Sequence, residues 1–380
     1  MPFAERARVV IAPDSFKGSL GADRVAAAIA RGWAAARPAD ALVLRPMADG
    51  GEGTLAVVQS AIPDAESVSF AATGPIGAPV AAHWLRLPDG SAVVELAETS
   101  GMLRLPRDAA GQLVLHPLEA HTRGVGEAIR AAIDAGATQV HVALGGSCST
   151  DAGAGVLVGL GARLLDSAGN EVPLGNRGLA HIAAIDTSRM RSIPAGALTV
   201  WSDVAAPLLG PRGAAAQFGQ QKGITEALRP AAEAGLAHFA SVLDLDPMSP
   251  GFGAAGGTTC ALAWLGAEIV QGAGAVAELI GLAAAISEAD LVITGEGSFD
   301  AQSSEGKAPA LVTELAARAR VPVAIIAGRI AEDAAVAQYV HAQSLGELAG
   351  ETKQHLDPMK DAEVLLERAG HALALVMRGE

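Results

Sequence analysis

Several things are scarce in this chain of 380 residues, and each scarcity excludes something. Only two cysteines occur, Cys148 and Cys260, so a disulfide scaffold is excluded and a reducing compartment is expected. Aromatic residues make up 3% although half the residues are apolar, so the core must be built from Ala, Val, Leu and Ile. Lysine is confined to Lys17, Lys222, Lys307, Lys353 and Lys360. The formal charge of −14 argues against nucleic-acid or anionic-membrane partners. The first residues, MPFAERARVV, lack an apolar signal core, and the long uncharged stretch 247–267 is broken by Pro and Gly. A soluble, cytoplasmic protein is expected.

What is abundant is glycine, at 45 residues in short clusters without a collagen-like period. Between the clusters, short runs of Val, Ile and Leu alternate with Ala-rich helical patterns, the texture of βαβ units and a parallel sheet. Strands are expected at RVVIAP (8–13), ALVLRP (41–46), VHVALG (140–145), LTVWSD (198–203), DLVITG (290–295) and VPVAIIAG (321–328). Helices are expected over 23–36, from near Glu52, over 122–135 and over 225–245. From 65 to 97 the runs SVSFAAT, PVAAHWLRL and SAVVELA are separated by turn residues, as antiparallel or mixed strands would be.

The first two and last two βα units look alike. The fold class expected is therefore α/β. A doubly wound, mostly parallel sheet domain is built from both chain ends (1–64 and 280–380). A second α/β domain (65–279) is inserted, with the site in the interdomain cleft.

Ligands of open parallel sheets bind beyond the carboxyl ends of the strands. Those ends here carry PDSFKGS, MADGGEGT, ALGGSCSTDAGAG, WSDVAAPLLGP and TGEGSFDAQSSEGKAP. Glycine lets backbone N–H groups approach an anion, and helix N-termini favour one. Carboxylates beside an anion would repel it unless a cation stood between them, and Mg²⁺ does this in phosphoryl transfer. Acids, Gly-rich turns and isolated lysines together read as a nucleotide–Mg²⁺ site. Any single acid also reads as a helix cap, Asp23 and Asp151 most readily.

Other motifs carry less. No GxxxxGK[ST] occurs, so a P-loop is excluded, and GGSCS is not a nucleophile elbow. GFGAAG (251–256) follows Ser-Pro and reads as a loop. GAGAVA (272–277) follows AEIV and precedes DLVITG, which leaves open a dinucleotide-binding unit. His116 and His121 read as turn residues rather than zinc ligands, and Cys148 as a small core residue.

In order along the chain, APDSFKGSL, PMADGGEGT, ALGGSCSTDAGAG, SDVAAPLLGPRGAAAQFGQQKG, PGFGAAGG and ITGEGSFDAQSSEGKAP resemble the glycerate kinase family. The resemblance implies ATP- and Mg²⁺-dependent phosphorylation of D-glycerate, at the 2-hydroxyl in preference to the 3-hydroxyl. It also implies a two-domain α/β architecture. The chain departs from the family pattern at Ala206, where Asn is usual, at Gln220, where Pro is usual, and at Phe299 and Ser303.

On this resemblance Asp49, with Asp203 as a second candidate, holds the metal. Lys17 neutralises the transferred phosphoryl group or binds the glycerate carboxylate, alongside Asp14, Ser15 and Lys222 as substrate contacts. Asp203 or Asp300 takes the proton of the substrate hydroxyl. Gly145, Gly146, Ser147, Asp151, Gly295, Glu296, Gly297 and Lys307 form the nucleotide side. A homodimer is compatible with the sequence. Two other classes stay open: an NAD(P)-dependent dehydrogenase of a small hydroxy acid, resting on GAGAVA, and a non-catalytic hydroxy-acid sensor on the same fold.

Overall fold

Runs of four or five apolar residues are too short for helices, and in this chain they form the centre of two sheets. The structure, a computed structural model, describes residues 6–300, 308–351 and 356–378. Strands are numbered in chain order. Two compact units emerge, one made of residues 1–49, 56–63 and 273–380, the other of 50–55 and 64–272.

The first unit holds five parallel strands in the order β15-β13-β11-β1-β2, where β1 is Arg8–Ile11, β2 Ala41–Leu44, β11 Leu291–Thr294, β13 Val323–Ala327 and β15 His341–Ser344. Val9, Val10, Ile11, Leu291, Val292 and Ile293 are buried, as expected for a parallel sheet covered on both faces. The order is that of a doubly wound fold with its reversal between β1 and β11. Helices Ala22–Ala36 and Ala362–Arg378 pack together on this unit's core around Trp33, Leu365 and Leu366. Two short strands, β12 (Ser298–Phe299) and β14 (Arg329–Ile330), pair beside the ends of β11 and β13.

The second unit's sheet runs β10-β9-β6-β5-β4-β3. Its members are β3 (Glu66–Thr73), β4 (Pro79–Arg86), β5 (Ala92–Glu95), β6 (Val140–Ala143), β9 (Leu198–Trp201) and β10 (Glu268–Val270). β3, β4 and β5 pair antiparallel and the rest parallel, the mixed pattern expected of 65–97. A separate antiparallel pair joins β7 (Arg163–Leu165) to β8 (Ala184–Asp186).

Three expectations are corrected here. Asp23 does not cap its helix: Gly21 occupies the N-cap position and Asp23 lies in the first turn. The helix expected near Glu52 begins at Thr54, which leaves Glu52 in the preceding turn. GAGAVA does open a helix after β10, but β10 and β11 belong to different sheets. The βαβ unit that a dinucleotide fingerprint requires is therefore absent, and the dehydrogenase reading loses its support.

Segment 50–55 was expected with the first domain, yet it belongs to the second unit. The reason is backbone packing. A methyl group on Gly50 would sit 2.7 Å from the Trp201 carbonyl oxygen, and one on Gly145 would sit 2.2 Å from Gly51 Cα. The Gly145 N–H donates to the Gly50 carbonyl at 3.1 Å. This glycine turn thus lies across the ends of β6 and β9.

Candidate active site

In the first unit the site residues gather where the strand order reverses. β1 runs through Pro13 into Asp14, whose N–H donates to the Gly295 carbonyl beyond β11 at 2.8 Å. The Thr294 hydroxyl donates to the Ala12 carbonyl at 2.8 Å, and the Met47 N–H to the Pro13 carbonyl at 2.8 Å. These bonds bring the loops after β1, β2 and β11 side by side. Asp14, Lys17, Asp49 and Glu296 consequently share one electrostatic neighbourhood.

Asp14 registers that crowding. Burial pushes its carboxyl up to about 6, against a hydrogen bond from the Ser15 N–H that favours the charged form. The negative charges of Asp49 and Glu296 raise it further, and Lys17 partly offsets them. Asp14, Ser15 and Asp49 are half-buried, Glu296 is buried and Lys17 is exposed. Asp300 is half-buried just beyond β12, and Lys307 lies outside the described residues.

In the second unit the motif loops end β6 and β9. The Lys222 ammonium is buried under the loop after β6, donating to Ser147 Oγ and to the Ser149 carbonyl, each at 2.7 Å. Burial lowers its pKa to about 8, and Lys222, expected as a substrate contact, is committed to this loop instead. The Cys148 N–H and thiol both reach the Ser100 carbonyl at 3.1 Å, and burial pushes the thiol up to about 12. Cys148 is a packed core residue, as expected.

Asp151 is fully buried. It accepts the Thr122 N–H and hydroxyl at 2.9 Å each and the Gly155 N–H at 3.2 Å. It therefore ties the start of helix Arg123–Asp134 to helix Ala154–Gly159, which is closer to its capping reading than to a nucleotide contact. Asp203 is exposed beyond β9 and accepts the Gly272 N–H at 2.9 Å, at the start of helix Gly272–Leu279.

Several glycines expected to leave room for phosphate leave room for backbone instead. The Gly145 N–H is engaged by Gly50, as described. A methyl group on Gly295 would sit 1.7 Å from the Ile326 carbonyl oxygen, and one on Gly297 would sit 3.3 Å from Phe16 Cα. Gly146 differs: it is exposed with φ +73°, and a methyl there would lie 3.3 Å from the Glu52 carboxylate.

The departures fall on ordinary ground. The Ala206 carbonyl accepts the Gly253 N–H at 2.8 Å, Gln220 is exposed, and Phe299 is fully buried edge-on to Tyr339. Ser303 lies outside the described residues.

Residues 9–378, nearly the whole chain, match the glycerate kinase family. The chain belongs to the glycerate kinase family. Among its relatives are the glycerate kinase of Bacillus subtilis, 40% identical over 337 residues covering 86% of each chain, and the glycerate 2-kinase of Escherichia coli, 40% identical with 87% of each covered. A solved structure from Salmonella typhimurium, provisionally assigned as a glycerate kinase 2, is 34% identical. It superposes with a TM-score of 0.82 over 98% of this chain and 99% of that one.

Four side chains escaped the reading of the sequence: Glu95, Glu98, His83 and Arg104. Glu95 is buried and accepts backbone N–H groups of Gly53 and Leu55. Beside it, Glu98 accepts from His83 at 2.9 Å and from Arg104 at 3.1 Å, and the carboxylate in turn raises the His83 pKa. In the run SAVVELAETS these acids stand without a neighbouring glycine cluster, so nothing local marks them.

Among the described residues no group of three or more His, Cys, Asp or Glu side chains could hold a metal by itself. Asp14 and Asp49, brought together at the strand-order reversal, are oxygen donors, the ligand type that hard divalent cations take. Among the described residues no helix is long and apolar enough to cross a membrane.

Proposed function

We propose that this chain transfers the terminal phosphoryl group of ATP, with Mg²⁺, to the 2-hydroxyl of D-glycerate, giving 2-phosphoglycerate. The observation that carries the reading is the set Asp14, Lys17, Asp49 and Glu296 at the strand-order reversal of a glycerate kinase family member. Bound Mg²⁺ would supply charge neutralisation on the phosphate oxygens, with Asp49 as the first carboxylate to hold it and Asp203 as the second candidate.

The chain's own part is binding, orientation and proton acceptance. Phosphoryl transfer depends mainly on such positioning and on charge placed at the moving group. Lys17, exposed and near the Asp14 carboxylate, meets the negative charge of the phosphoryl group or of the glycerate carboxylate. Asp14 and Ser15, linked through the Ser15 N–H, contact the substrate. Asp203 or Asp300 accepts the hydroxyl proton, a role their partly open settings permit. On the nucleotide side Gly146 and Ser147 face the phosphates, while Lys222 and Asp151 hold that loop in shape.

ATP/Mg²⁺ turnover with D-glycerate tests the reading, with the product's phosphate position read by phosphorus NMR. ADP release and a 2-phosphate are expected, and no ADP from any small hydroxy acid overturns it. Asp49→Asn is expected to lower kcat by about 10²–10⁴, the scale for losing one charge-stabilising group, with the fold intact by circular dichroism. Wild-type turnover in that variant would remove Asp49 from the metal role.

A further inference from the structure

Glu95 stands outside every motif loop, yet its carboxylate reaches into one of them. It closes β5 in register with Ala143 of β6, just before the Gly145–Gly146 turn. Oε1 accepts the Gly53 N–H at 2.9 Å and Oε2 the Leu55 N–H at 3.0 Å. These are orphan donors at the start of helix Thr54–Ala61, which has Gly53 ahead of it and so no side chain there to cap it. The cap arrives from about forty residues away, off a different element.

The same turn is held at two further points already described, Gly50 on the Trp201 carbonyl and Gly51 on Gly145. β9, β6 and β5 are neighbours in the sheet and parallel. Their three carboxyl ends therefore grip the 50–55 turn at successive places. Two grips are backbone against glycine. The third is a buried carboxylate, 5% exposed, and burying a charge is costly unless its hydrogen bonds require it. Glutamine in this place could accept one amide and would oppose the other, so only the carboxylate satisfies both.

We infer that Glu95 is a positioning residue for phosphoryl transfer, fixing the Gly50–Gly53 turn against the Gly145–Gly146 loop of the nucleotide side. The inference rests on the kinase reading above. Burial lifts the Glu95 pKa to about 7 against the pull of the two amides, with Glu98 and Glu52 adding to the rise, so the grip is held at a cost.

The test uses the full chain. Glu95→Gln is expected to lower kcat with D-glycerate on the order of 10²-fold, the scale of a small misplacement, with KM for D-glycerate changed far less. Amide hydrogen exchange in the peptide spanning 53–55 should accelerate in the same variant. Glu127→Gln is the control, because Glu127 similarly accepts the Thr73 N–H at 2.6 Å and hydroxyl at 2.8 Å, away from the motif loops. It should cost thermal stability and leave kcat unchanged.

Should Glu95→Gln fail to fold, Glu95→Asp keeps the charge, shortens the reach and is read the same way. Wild-type kcat in a Glu95 variant whose 53–55 exchange has accelerated overturns the inference. So does a loss of kcat that merely tracks lost thermal stability in both Glu95→Gln and Glu127→Gln. If the wild type forms no ADP, the kinase reading itself fails and takes this role with it.

Discussion

Asp14 illustrates how a single side chain can be kept at a cost to the fold. Its folded pKa of about 6 lies above the ordinary 3.8, so the folded chain holds the proton more tightly than the unfolded one. Its contribution to stability is therefore greatest in acid, declines as pH rises between those two values, and is lowest above the upper one. Asp14→Asn should raise the melting temperature above pH 6, with the difference shrinking toward pH 4, while D-glycerate turnover falls. A thermal shift series against pH checks it, and a pH-independent difference would rule out the raised carboxyl. This acid was legible in the sequence, because PDSFKGS places it at a strand end next to a lysine. Glu95 was not. Its importance comes from two amides that the chain brings to it only after folding.

At the scale of elements, apolar runs marked the strands well, with ends one or two residues short of expectation. β1 and β2 stop before Pro13 and Pro46, since proline has no N–H to give a ladder. β15, His341–Ser344, was invisible because its residues are polar or small and mostly half-buried at a sheet edge. Helix–helix packing was likewise unreadable, although one glycine pair decides it. A methyl on Gly32 would sit 1.8 Å from the Glu367 carbonyl oxygen, and one on Gly370 would sit 2.3 Å from the Ile29 carbonyl oxygen. These positions let helices Ala22–Ala36 and Ala362–Arg378 meet backbone to backbone. Gly32→Ala improves intrinsic helix propensity by about 1 kcal/mol, yet overpacking should cost more, about 1–3 kcal/mol, so the net expected outcome is a lower melting temperature. A rise in melting temperature would show that the helices can part without loss.

For the molecule as a whole, the acidic balance and the two-part α/β texture could be read directly, while the assignment of 50–55 could not. That assignment depends on glycine contacts between segments far apart in sequence, which periodicity does not encode. Each unit has its own buried core, one around Trp33 and Ile293, the others around Phe239 and Trp84. Calorimetric unfolding should then depart from a single two-state transition, with a calorimetric enthalpy exceeding the van't Hoff value. Equal enthalpies would mean that the units unfold together.

The pairing of β1 with β11 also has a meaning for the ribosome. Arg8 and Asp290, bonded at the foot of that pair, are 282 residues apart, which at roughly 5–20 residues per second is about 14–56 s of synthesis. All strands of the second unit emerge during that interval, so its sheet can close first. β1 and β2 meanwhile wait with the β11 side of β1 unpaired and with Val9, Val10 and Ile11 lacking their cover. A nascent chain paused before residue 291 thus exposes an unpaired strand edge and apolar side chains, the features that make incomplete folds prone to aggregate.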